Sequence, residues 1–68
     1  MIRVLERLGF HLERISSSSH HILAKENHPT VVCVPVHGNR VLPQTTFRSI
    51  LRQAGLKPGE FFRAYWKL

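Results

Sequence analysis

The 68-residue chain has one cysteine, four acidic residues and no apolar run near the roughly 18 residues that a membrane-spanning helix needs. Cys33 alone cannot form an internal disulfide, and no secretory leader is visible. A core of packed side chains must therefore hold the fold, the cytoplasm is the expected compartment, and no membrane partner is expected. Acid is scarce. Ten Lys and Arg face four Asp and Glu, giving a formal charge of +6. So large an excess on so short a chain points to an anionic partner, nucleic acid or an acidic protein. The plainer reading is solubility, since small domains tolerate charge of this size. Repeats and linkers are also missing, so a single domain over 1–68 is expected, near the lower limit of what folds unaided.

Serine is concentrated in one place: Ser16-Ser17-Ser18-Ser19 runs directly into His20 and His21. Serine hydroxyls bond nearby backbone groups and compete with helix and sheet pairing, so the run predicts a tight hairpin connection. His20 and His21 then open the following strand, and alternation sends them to opposite faces. A histidine at a strand's mouth is held by the sheet and still reaches solvent.

Around this point the chain divides into short elements. Ile2, Val4, Leu5 and Leu8 mark an amphipathic helix, with Gly9 suited to end it. Phe10 to Ile15 begins in alternation and predicts a strand, with Phe10 and Leu12 on one face and His11 and Glu13 on the other. His20 to Lys25 predicts a second strand with mixed faces, leaving open which histidine looks toward the core. After the turn at Glu26-Asn27-His28-Pro29, Thr30 to Val36 reads as a buried strand, with Pro35 suggesting an edge or a bulge. His37 to Gln44 is a loop, and Thr45 or Thr46 is the expected N-cap of a helix whose apolar face is Phe47, Ile50, Leu51 and Ala54. Arg48 and Arg52 share its outer side and Gly55 ends it. A third helix starts near Leu56, with Pro58 in its first turn and Phe61, Phe62, Tyr65 and Trp66 crowded together, more than one face of a short helix needs; closing the core is their expected use, with exposure of part of the set to a partner as the alternative. The order α-β-β-β-α-α with short connections predicts an α+β fold, a three-stranded antiparallel sheet with helices on one face.

Taken together, Leu8-Gly9-Phe10, the Ser-His-His strand opening, Val34-Pro35-Val36-His37, Gly38-Asn39 and the run Thr46 to Leu56 resemble the HicA-type toxins, a resemblance that extends to Glu60-Phe61. It implies a double-stranded-RNA-binding-domain-like αβββα fold, here with a short added C-terminal helix. It also implies a toxin that cleaves mRNA and is neutralised by a HicB-type antitoxin. The family's Gly-Ser-His motif carries its catalytic histidine, which corresponds to His20. Ser18 stands at the motif glycine, Thr45 stands where a glycine is common before the second helix, and the family's first helix usually begins several residues before the position of Met1.

RNA cleavage without a metal requires a base for the ribose 2′-hydroxyl proton, stabilisation of the crowded phosphate, and a proton for the leaving oxygen. Imidazoles as a class titrate at ~6.5, close to working pH, which suits His20 to the base role. Lys25, Arg40 and Arg48 are the candidates for phosphate contact, with Ser19 and His21 as further RNA contacts. His21 is the obvious acid, but adjacent strand residues face opposite ways. His11, His28 and His37 are expected to be exposed. Five histidines and one cysteine show no zinc-ligand spacing, so no metal and no small-molecule cofactor is expected. Two other functions fit the residues: a non-catalytic double-stranded-RNA-binding module, and a protein-interaction domain using the C-terminal aromatics.

Overall fold

The computed structural model describes residues 1–16, 19–36 and 42–67. Ser17, Ser18, His37, Gly38, Asn39, Arg40, Val41 and Leu68 lie outside them, and with them the loop and the motif-glycine position. The elements are α1 (Ile2–Arg7), β1 (His11–Ile15), β2 (His20–Ala24), β3 (Val32–Pro35), α2 (Gln44–Ala54) and α3 (Pro58–Trp66). The three strands form one antiparallel sheet in the order β1-β2-β3, so the expected α+β fold is present.

Leu5 of α1, Ile50 and Ala54 of α2, Phe10, Leu23, Val32 and Val34 make one core cluster. Leu23, Val32 and Val34 occupy alternate strand positions, so α1 and α2 cover a single face of the sheet. A second cluster joins Val4, Leu51, Phe61 and Ala64. It lies between α3 and the other two helices, so α3 forms an outer layer stacked on α1 and α2 and does not touch the sheet through this cluster.

Both α1 and α2 end in the same way. Gly9 adopts φ +103° and Gly55 φ +71°, a left-handed backbone that costs other L-residues ~1–2 kcal/mol. At the first helix, Gly9 N–H donates to Glu6 O and Phe10 N–H to Leu5 O, each at 3.0 Å. At the second, Gly55 N–H donates to Arg52 O at 3.1 Å and Leu56 N–H to Leu51 O at 2.9 Å. This double closure satisfies carbonyls that a helix end leaves orphaned. In each case it folds the next apolar residue, Phe10 or Leu56, back against the helix it leaves. The six-residue α1 is too short to persist alone and is held by Val4 and Leu5, both essentially inaccessible.

Three expectations are corrected, and the burial of β1, which alternation left open, is settled. The N-cap of α2 is Pro43, not Thr45 or Thr46. Its ring sets φ at −59° in an extended backbone, and its carbonyl accepts the Phe47 N–H at 2.9 Å, so the helix starts at Gln44 and takes both threonines into its first turn. The β-branched run is not buried throughout. Val32 and Val34 are buried against the helices, while Val31 and Val36 are exposed just before and just after the edge strand β3. In β1 every residue is exposed, Leu12 included, because the helices cover β2 and β3 and leave this edge bare. Of the four C-terminal aromatics only Phe61 is buried; Phe62, Tyr65 and Trp66 are exposed. Phe61 meets Phe47 edge to face at 5.0 Å, with Phe62 leaning on both from the surface, and this closes the second cluster without Tyr65 or Trp66.

Candidate active site

The hairpin between β1 and β2 is built from its serines. Ser16 N–H donates to His20 O at 2.9 Å, Ser19 N–H to Ser16 O at 3.0 Å, and His20 N–H to Ser16 Oγ at 3.2 Å. The chain turns back within three residues, a length whose usual solution ends in one left-handed residue. That residue is Ser19, at φ +65°. The strained position is thus the serine directly before His20, while Ser18 lies outside the described residues. Ser19 O also accepts the Val36 N–H at 3.3 Å, tying the hairpin mouth to the end of β3.

His20 is half-buried and pairs with Pro35 across the sheet, on the face shared by Ile22 and Ala24. The core-facing column of β2 is His21 and Leu23, because Leu23 lies in the helix-packed cluster. The ambiguity left by periodicity is thereby resolved: His20 looks out from the helix-free face, and half-buried His21 looks toward the helix side.

One cation escaped the sequence reading. Simple alternation from Phe10 places Arg14 on the Phe10–Leu12 face. In the structure the register shifts between Leu12 and Arg14, so Leu12 pairs with Leu23 but Arg14 pairs with Ile22. Glu13 is the extra residue of this bulge, and it turns Arg14 onto the face of His20. Ser16 lies opposite His20, so exposed Arg14 is its diagonal neighbour, roughly 7–8 Å away between backbones and within reach of a long side chain. The only local signal for this was the stretch Glu13-Arg14, where alternation fails.

The other expected contacts are distributed. Ser19 is exposed at the hairpin tip. Lys25 follows the far end of β2, roughly 16 Å from His20 along the strand. Its chain packs across Gly9, and its Nζ sits 5.6 Å from the Phe10 ring centroid. The structure does not bring it to His20. Arg48 is exposed on α2. The C-terminal turn of α2 is bound to the start of β3, since Gln53 O accepts Thr30 Oγ1–H at 3.1 Å and Gln53 Oε1 accepts Cys33 N–H at 2.8 Å. Arg48 therefore lies on the half of α2 directed away from that anchor. Arg40 lies outside the described residues.

His11 is exposed as expected, but His28 is not a free loop residue. Its Nε2 lies 2.7 Å from Gln53 O and its ring stands edge-on to Phe10 at 5.2 Å, so it pins the β2–β3 turn to the end of α2. Among the described residues no group of three or more His, Cys, Asp or Glu could hold a metal ion, and no helix is long and apolar enough to cross a membrane.

A three-stranded sheet, helices on one face and a half-buried histidine at a serine hairpin on the other define a small basic α+β domain with a helix-free sheet surface. Residues 1–56 match the family model described as HicA toxin of bacterial toxin-antitoxin, and the chain belongs to that family. It is thus the toxin component of a toxin–antitoxin pair. The match ends before α3, short of the Glu60-Phe61 to which the resemblance was extended. No curated protein and no solved structure matches the chain significantly.

Proposed function

We propose that the protein is an endoribonuclease that cleaves mRNA in the cytoplasm, with His20 as general base. The observation that supports this reading is the position of His20, the histidine that the resemblance assigns to the motif, on the helix-free sheet face with Arg14 as its diagonal neighbour. In the proposed reaction, His20 takes the proton of a ribose 2′-hydroxyl while the 2′-oxygen attacks the adjacent phosphorus. The bond to the 5′-oxygen of the next nucleotide breaks, and that oxygen leaves with a proton. The products are a 2′,3′-cyclic phosphate and a 5′-hydroxyl. Arg14 stabilises the charge that builds on the phosphate oxygens. As written the reaction needs no metal. His21 is not part of this scheme, and the acid is left unassigned.

Phosphate contacts supply most of the RNA affinity, so binding weakens steeply with salt. A HicB-type antitoxin would inhibit by covering His20 and setting carboxylates against the basic face. The test is cleavage of a defined mRNA in EDTA by wild type, His20→Ala and Arg14→Ala, with circular dichroism on each. His20→Ala should lower the rate ~10²–10⁴-fold and Arg14→Ala ~10²-fold or more, both folded. Intact RNA after incubation with folded wild type would leave a binding module instead. Equal cleavage by wild type and His20→Ala would remove His20 from the mechanism.

A further inference from the structure

We propose that the outer side of α3 is a second RNA-binding surface, which stacks unpaired bases on Phe62 and Trp66 and holds phosphates on Arg63, Lys67 and Arg7. The proposal rests on the reading of RNA as substrate, and all its residues but Arg7 lie beyond those matched to the family.

Helix geometry makes the surface. At 100° per residue, Phe61 and Ala64 face the other helices and are buried. Phe62 and Trp66, four apart, form one row on the opposite side, and Arg63 and Lys67 form the next row beside it. Phe62 is 48% and Trp66 80% exposed, and Tyr65, 52% exposed, meets Trp66 at 5.8 Å. Phe62 leans on Phe47 and Phe61, at 6.2 and 5.3 Å, and leaves about half its surface open, while the core closes without Tyr65 and Trp66, so packing gives no reason for those two rings to stand in water.

The charges point the same way. Like charges four apart on a helix repel, yet Arg63 and Lys67 occupy that spacing, and Arg7 of α1 joins them in an open groove of about 340 Å³. The groove is lined by Arg7, Leu8, Glu60, Arg63, Ala64 and Lys67. Its single carboxylate, Glu60, accepts the Lys57 N–H at 2.9 Å and so caps its own helix. Three cations beside a stripe of exposed rings fit a single strand, whose phosphates run along the cations while its bases lie on the aromatics. A protein-binding surface is instead typically depleted of Lys at its centre. The layer order also favours a flexible strand. His20 faces away from the helices and α3 lies outside them, so a rigid duplex lying on one side of the domain cannot reach both.

Trp66 is the only tryptophan, so its fluorescence reports the site directly. The probe is a fluorescein-labelled 2′-O-methyl oligouridylate, which lacks the nucleophilic hydroxyl and cannot be cleaved. Titrating an unlabelled copy should quench Trp66, and anisotropy of the labelled one should give the affinity. Trp66→Ala should weaken binding roughly tenfold and Trp66→Phe should restore most of it. The pair Arg63→Glu and Lys67→Glu should weaken binding at least as much and flatten its salt dependence. All substituted side chains are exposed, and circular dichroism checks the fold. Unchanged affinity in Trp66→Ala and in the charge-reversed pair would overturn the surface while leaving cleavage at His20 intact. Quenching by polyglutamate but not by the oligouridylate would also overturn it, in favour of an acidic protein partner. Trp66-dependent binding by a wild type that cleaves nothing would sustain the surface and refute the nuclease reading.

Discussion

Replacing His28 with alanine is the sharpest test of how this small domain is held together. Gln53 O can only accept, so the His28 Nε2 that lies 2.7 Å from it must carry a proton. Alanine removes that hydrogen bond, worth ~1 kcal/mol net. It also removes the edge-on contact with Phe10, worth ~0.5–1.5 kcal/mol. The further penalty for an orphaned carbonyl does not apply, because Thr30 Oγ1 donates to the same oxygen at 3.1 Å. The sum is about 2 kcal/mol, against a whole stability of ~3–10 kcal/mol expected for a domain this small. For a chain of this length ~1 kcal/mol moves Tm by ~4–8 °C, so His28→Ala should melt ~8–16 °C below wild type. Circular dichroism melts of the two proteins decide it. A shift under ~2 °C would mean that the turn is anchored without His28, and the reasoning would fail. The double change His28→Ala with Thr30→Ala should cost more than the two singles added, because only then does the Gln53 carbonyl lose both donors.

Two other substitutions probe the strained and edge positions. Ser19→Gly relieves a left-handed backbone that costs ~1–2 kcal/mol and pays back ~0.5–1 kcal/mol in chain entropy, so it should raise stability by ~0.5–1 kcal/mol in a urea titration. A loss of stability would show that Ser19 has a role beyond its backbone angle. Gln53→Leu should destabilise by ~1–3 kcal/mol, because it strands the Cys33 N–H on the outer edge of β3, whereas Gln53→Glu keeps an acceptor there and should cost less. Equal urea midpoints for the two variants would contradict that assignment.

Where local chemistry decides structure, the sequence was sufficient, the N-cap of α2 at Pro43 excepted. The apolar face of α2, its exposed Arg48 and Arg52, the glycines ending α1 and α2, and the serine turn before His20 each depend on residues within a few positions of one another. Spacing and φ preferences carry that information directly. The α+β order followed from the same elements and their short connections.

Tertiary structure decided what depends on strands meeting helices and one another. Alternation separates His20 from His21 but cannot say which side of the sheet two distant helices will cover. The bulge that turns Arg14 toward His20 is a matter of pairing between β1 and β2, and neither strand specifies it alone. His28 looked like an exposed turn residue because its partners, Phe10 and Gln53, are remote in sequence. Spacing could not say which aromatics of α3 close the core; Phe61 does so against Phe47, Phe62 leans on both from the surface, and Tyr65 and Trp66 stand in solvent. Sequence pattern gives each residue its side of an element; only packing determines what, if anything, covers that side.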